Sequence, residues 1–198
     1  MKKFGWAWLA AGLVLATGAA VAGAQVKEYK IDPNHSEAGF SIKHLVVSTV
    51  HGSFHSVNGT VKIDPNDLTK SSVDATIDVT TVDTGVAARD TDLKSPHFFD
   101  AAQFPTMTFK STSVKKAGDL YDLTGNLTLH GVTKQVVLRL DAPSKGITDA
   151  KGREHHGFTA TTTINRQDFG LKYQGTTPGG EQVVGDEVKI EIDIDATV

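Results

Sequence analysis

The strictest pattern in the chain has a period of two. Val188, Ile190, Ile192, Ile194 and Ala196 alternate with Lys189, Glu191, Asp193, Asp195 and Thr197, and Val73, Ala75, Ile77 and Val79 alternate with Asp74, Thr76, Asp78 and Thr80. Successive side chains of a strand point to opposite faces, so this alternation gives strands with one dry and one wet face. The period returns less cleanly at Ala38-Phe40-Ile42, Val57-Gly59-Val61-Ile63, Tyr121-Leu123-Gly125-Leu127-Leu129, Val136-Leu138-Leu140 and Phe158-Ala160-Thr162-Ile164. Turn formers separate the runs: Asp32-Pro33-Asn34, Asp64-Pro65-Asn66, Ala117-Gly118-Asp119, His130-Gly131 and the stretch from Gly175 to Gly180. About eight strands joined by short reversals predict an all-β, antiparallel protein.

One region breaks the pattern. Thr84 to Ser95 has no alternation and predicts a short helix that stops before Pro96. An aromatic loop follows, His97-Phe98-Phe99-Asp100 and then Phe104-Pro105, so the helical insertion spans residues 84–104.

An antiparallel sheet of about eight strands disposes of its edges by closing into a barrel, and a barrel of that size is either filled by side chains or holds one small ligand. Gly59, Gly125, Ala160 and Thr162 fall among the inward positions and are expected to leave volume unfilled. Phe40, Phe54, Phe98, Phe99, Phe104 and Phe109 are placed to line or cap a mouth. The pattern alone favours the other outcome, a bore packed by these same rings with the insertion plugging one end.

Composition removes several function classes. The chain has 198 residues, a net charge of −3 and no basic run, which argues against nucleic acid as a partner. There is no cysteine, so disulfides, thiol catalysis and thiolate metal sites are excluded. Lys2 and Lys3, the apolar run from Phe4 to Thr17 and the small residues Ala22-Gly23-Ala24 describe a secretory signal peptide over residues 1–24. Residues 25–198 then form one domain, and without a second long apolar segment it is not expected to span a membrane.

The histidines invite a metal or catalytic reading. His51 and His55 lie on one face of a strand, roughly 13 Å apart and too far to share a zinc ion. His155 and His156 are adjacent and point to opposite faces if extended. His35-Ser36 lacks convergent geometry, and no Gly-x-Ser-x-Gly elbow supports a hydrolase. No calcium loop pattern exists either. No cofactor and no metal is expected. A histidine-dependent periplasmic enzyme, or a metal-binding stress protein using His35, His44 and His130, stands as the competing reading.

Four stretches carry a family resemblance. They are Asp32-Pro33-Asn34-His35-Ser36 with Phe40 and His44-Leu45; Arg89-Asp90 through Leu93-Lys94-Ser95 to Phe98-Phe99-Asp100 and Phe104-Pro105; Leu127 to Lys134; and Arg166 to Leu171 with Val184-Gly185-Asp186. In this order they resemble the YceI-like family of bacterial periplasmic polyisoprenoid-binding proteins. His97 departs from it, since a more polar or acidic residue is common before the Phe-Phe pair.

The resemblance implies an eight-stranded up-and-down lipocalin-like β-barrel, a homodimer in the periplasm, and an elongated cavity holding a long isoprenoid lipid or isoprenoid quinone without chemistry. It reverses the preference for a filled bore. The apolar candidates for ligand contact are Phe40, Ile42, Phe54, Ile77, Phe98, Phe99, Phe104, Phe109, Leu127, Leu129, Phe158, Ile164, Phe169, Ile190 and Ile192. A polar head group would be met by Arg89, Lys94, His44 or Arg166. Arg89 is the leading candidate because its fork matches a phosphate, with pairing to Asp90 or Asp92 as its alternative role.

Overall fold

The structure is a computed structural model and describes residues 26–198. Its strands are β1 (Lys27–Ile31), β2 (Glu37–His44), β3 (Ser48–Phe54), β4 (Val57–Ile63), β5 (Ser72–Asp78), β6 (Val82–Asp83), β7 (Thr106–Ala117), β8 (Leu120–Leu129), β9 (Val132–Leu140), β10 (Ile147–Thr148), β11 (Glu154–Asn165) and β12 (Val184–Thr197). The α-helix α1 (Ala87–Lys94) lies between β6 and β7. The expected signal peptide, residues 1–24, lies outside the described residues.

Several short strands are pieces of longer staves. β1 and β2 follow one another along β12, while β3 and β4 follow one another against β2 and β1. β5 and β6 do the same against β4 and β3. Read as staves, consecutive strands neighbour each other from β1/β2 round to β12, and β12 closes the ring on β1/β2. The fold is therefore a closed, antiparallel, up-and-down barrel of eight staves with one short helix.

The first kink shows how sequence chemistry bends a stave without ending it. Asp32 still donates its N–H to the Asp195 carbonyl at 2.8 Å, while its carboxylate accepts the Asn34 N–H at 2.9 Å. Pro33, which has no donor to offer a ladder, sits where none is needed. The buried Ser36 hydroxyl then takes the place of a ladder partner, accepting the Asp195 N–H at 3.0 Å. Pairing of β2 with β12 resumes at Glu37. Asp32-Pro33-Asn34 is thus a bend within a stave, where the sequence predicts a reversal between strands.

The wall is uneven. β11 and β12 pair at eleven positions, from His155 with Thr197 to Asn165 with Glu187. β9 and β11 pair only at Leu140–Ala160 and Arg139–Thr161, and farther along the Thr162 hydroxyl donates to the Val137 carbonyl at 2.9 Å.

Alternation sorts the side chains as expected. Val188, Ile190, Ile192 and Ile194 face the interior, and Lys189, Glu191 and Asp193 are exposed. Apolar-in and polar-out is the reverse of a barrel embedded in lipid. Among the described residues no helix is long and apolar enough to cross a membrane.

At one end of the barrel, here the helix end, lie the β2–β3 turn, α1 with the loop after it, the β8–β9 turn and the connection from β11 to β12. The opposite end carries the β4–β5 and β7–β8 turns and the strap of residues 141–153, which includes β10.

Candidate ligand-binding cavity

A cavity of about 410 Å³ runs through the barrel and is lined from both ends. That volume lies within the roughly 300–1,000 Å³ typical of small-ligand pockets. The bore is therefore not filled by its own rings. All the apolar residues singled out from the sequence line it except Phe104 and Phe169. Phe104 leaves the bore to pack on His130, with ring centroids 4.5 Å apart, and covers Gly131. Phe169 is 2% exposed and belongs to the solid core beside the 3-10 turn Arg166–Phe169.

The small inward residues divide into two kinds. Ala160 and Thr162 do border the cavity. Gly59 and Gly125 do not leave empty space, which corrects the expectation for them. A Cβ on Gly125 would lie 2.4 Å from the Phe109 ring, so that ring occupies the notch. A Cβ on Gly59, whose φ is +149°, would lie 2.2 Å from the Asp74 carbonyl oxygen, so the glycine allows neighbouring backbones to approach.

Charge is distributed unequally along the lining. Lys43, His44, Arg89, Asp92 and Arg166 line the helix end, whereas the polar groups of the opposite end are Ser71, Ser72 and Tyr121. The aromatic loop builds the helix-end rim: Phe99 packs edge-on against Phe54 at 5.5 Å, and Phe98 stacks on Tyr173 at 4.9 Å. Lys43 and Tyr173 escaped sequence reasoning. Lys43 borders the mouth although alternation with His44 turns it outward, where its ammonium donates to the Thr49 hydroxyl at 3.1 Å, and Tyr173 lies in an irregular connection with no period to assign it a face.

The four head-group candidates have different fates. Arg89 donates Nε to the Thr84 hydroxyl at 2.7 Å and Nη2 to the Thr84 carbonyl at 2.9 Å. Its Nη1 has no protein partner among the described residues, nor does a carboxylate lie within 4.0 Å of the guanidinium. Pairing with Asp90 or Asp92 is not what the side chain does, because Asp90 instead caps Thr84, accepting its N–H at 2.9 Å. His44 lines the rim. Lys94 is not part of the lining.

Arg166 borders the cavity but is already consumed, which corrects its assignment to a head group. It is 3% exposed and donates to the carbonyls of Gly185, Leu171, Tyr173 and Val184 and to the Asp186 carboxylate at 2.9 Å. Burial works against its charge, and Asp186 works to keep it. The Asp186 carboxyl is held below its ordinary range by the Gln167 amide, with Arg166 adding to the effect. Arg166 fastens the β11–β12 connection to the barrel.

The histidines of the family-like stretches do not converge. His35 contacts Asp32 at 3.1 Å, His44 lines the rim, and His130 packs on Phe104. Among the described residues, one group, Asp32, His35 and Asp195, has metal-ligand atoms close together. Its oxygens are engaged: Asp32 accepts from Asn34 and pairs with His35, and Asp195 pairs with His155 at 2.9 Å. His51 and His55 stay at the outer surface, with His55 3.7 Å from Glu37 and 3.9 Å from Asp83.

A closed up-and-down barrel around an apolar, one-end-charged cavity defines a class, the ligand-holding barrels of lipocalin-like build. The YceI-like domain model matches residues 29–196, and the chain belongs to that family. Protein YceI of Salmonella newport is 42% identical over 173 residues, covering 86% of this chain and 88% of its own. Among solved structures, BcnA of Burkholderia cenocepacia superposes with a TM-score of 0.71 at 26% identity, covering 83% of this chain and 98% of its own. The Campylobacter jejuni YCEI protein gives 0.67 at 29% identity, over 79% of this chain and 89% of its own. A polyisoprenoid binding domain from Saccharophagus degradans, at 18% identity, 0.59, and coverage of 85% and 97%, shares the fold.

Proposed function

We propose that the protein binds a long isoprenoid, a polyprenyl lipid or an isoprenoid quinone, in this cavity for storage or transport in the periplasm. The observation that carries the reading is the cavity itself, lined from end to end by aliphatic and aromatic side chains with charge confined to one rim. The polyisoprenoid binding domain that shares this fold supports the ligand class. Burial alone can hold such a molecule. At roughly 0.3 kcal/mol per heavy atom, each five-carbon prenyl unit that enters the bore adds about 1.5 kcal/mol.

The asymmetry also orients the ligand. Its hydrocarbon tail lies toward Ser72 and Tyr121, and its head lies beside Arg89 and His44. With a lining made almost wholly of aliphatic and aromatic side chains, we read the cavity as a place that holds a ligand without transforming it. The reading carries a homodimer and a periplasmic location with it, to be checked by sedimentation and by cell fractionation.

The test is uptake of prenyl quinones of increasing chain length, followed by quinone absorbance after gel filtration. Stoichiometric retention that strengthens with chain length is expected. Equal failure to retain every length would overturn the reading.

A further inference from the structure

The β2–β3 turn at the helix end is built against its own sequence. Leu45 and Val46 have φ values of +50° and +63°, the left-handed region that glycine and asparagine favour in tight hairpins. A β-branched valine there is an outlier, and such strain persists only where the surroundings impose it. Among the described residues the other non-glycine residues with positive φ are Asp100 and His130, types that tolerate the region better. Solvation runs against the turn as well: Val46 is 67% exposed and Val47 is 84% exposed.

The turn is held firmly in this state. The Leu45 N–H donates to the Val183 carbonyl at 2.9 Å, and Val183 itself lines the cavity. Lys43, His44 and Val50, at the base of the same hairpin, line the cavity too. The exposed valines therefore extend directly from the rim. Val86, 47% exposed, stands at the start of α1 on the same end, and exposed Lys43 and Lys172 add ammonium groups there.

We propose that Val46 and Val47 form a docking finger that enters the surface of a lipid bilayer and sets the cavity mouth against it. This rests on the reading of the cavity as an isoprenoid site. A ligand of that kind resides in lipid, and an apolar tip continuous with an apolar lining gives it a path that avoids water. The lysines beside the tip complement the phosphates that a bilayer presents at the same depth. Exposed Ile147 at the opposite end has no such link to a charged rim and serves as the control.

The chain has no cysteine, so Val47→Cys and Ile147→Cys each accept a single environment-sensitive fluorophore. With phosphatidylethanolamine–phosphatidylglycerol vesicles, the label at position 47 should shift to the blue and brighten severalfold, and the label at 147 should not change. No change at 47, or the same change at both, would overturn the proposal. So would a change at 47 that grows with protein concentration without vesicles, because a second copy would then cover the tip.

A kinetic measurement separates this proposal from the one it rests on. The double substitution Val46→Ser, Val47→Ser should slow uptake of a prenyl quinone from vesicles at least tenfold. Its final occupancy from detergent-delivered quinone should match the unaltered protein. Equal rates from vesicles would refute the finger and leave the cavity reading intact. Failure of both proteins to load from detergent would refute the cavity reading, with bilayer contact still decided by the label.

Discussion

At the helix end the cavity meets Lys43, His44, Arg89, Asp92 and Arg166, whereas at the opposite end it meets Ser71, Ser72 and Tyr121. The opposite end is not poor in charge. It places that charge outside the bore, where His155 sits between Asp195 at 2.9 Å and Asp149 at 3.4 Å, and Glu154 joins Lys27 and His156. Asp149 and the Ser144 hydroxyl, which accepts the Gly157 N–H at 2.7 Å, pin the strap, while Lys27, Glu154 and His156 tie β1 to β11 beside it. The same kinds of residue therefore do two jobs. At one end they line the mouth of the cavity, and at the other they tie the outside of the barrel together.

The largest effect expected at either end comes from removing Arg166. Arg166→Met leaves four carbonyls and the Asp186 carboxylate without their buried donor, and should cost about 3–5 kcal/mol in urea unfolding. Arg166→Lys should recover little, because a point charge cannot reach partners spread around a fork. A loss below about 1 kcal/mol would mean that the helix end is not built around this residue.

Filling the Gly125 notch acts inside the bore. Gly125→Val must expel the Phe109 ring and should cost about 1–3 kcal/mol, while lowering retention of the longest prenyl chains more than that of short ones. Uniform retention across lengths would show that the bore does not hold the tail there.

The two ends separate most cleanly with paired substitutions. Arg89→Gln should weaken a prenyl pyrophosphate about tenfold, or about 1.4 kcal/mol, and leave a prenyl quinone nearly unchanged. Ser72→Ala at the opposite end should affect neither. Equal losses for both ligands would remove Arg89 from the head-group role.

The smallest effect is a dependence of the strap on pH. The Asp195 carboxylate raises the His155 pKa, so this contribution is complete below the ordinary value of 6.5 and is lost as pH rises through the higher folded value. Hydrogen bonds from Arg153 lower the Asp149 carboxyl, and the Lys27 ammonium lowers that of Glu154 to about 2. Those contributions are complete above the ordinary values of 3.8 and 4.5 and fade as pH falls toward the folded ones. Amide protection factors in residues 141–153 should therefore peak between pH 4.5 and 6.5. His155→Gln should flatten the alkaline side and change the acid side much less. A flat profile in the unaltered protein would show that the strap is held by packing instead.

What could be read from the sequence follows from where the period of two survives. β5, and β12 from Val188 onward, keep phase and are plain in the sequence. β7 does not, because a bulge between Ser111 and Ser113 puts Phe109 and Val114 on the inner side an odd number of residues apart. The kink at Asp32-Pro33-Asn34 uses the same residues as a reversal, and only the ladder to β12 tells the two apart. In the cavity, alternation placed the strand residues on the lining. It carried no information on Phe104 and Phe169, whose neighbours are set by loops. Arg166 shows a further limit: sequence offers a cation near a mouth, but the carbonyls that consume it come from irregular chain at Leu171 and Tyr173 and from the start of β12 at Val184 and Gly185.

The most direct measurement is native mass spectrometry of the protein purified from its own host without detergent, followed by solvent extraction. The account predicts a bound species in the mass range of a long isoprenoid, released on gentle activation and showing the repeating fragment of prenyl units. Protein that arrives empty and stays empty when offered a prenyl quinone would contradict it.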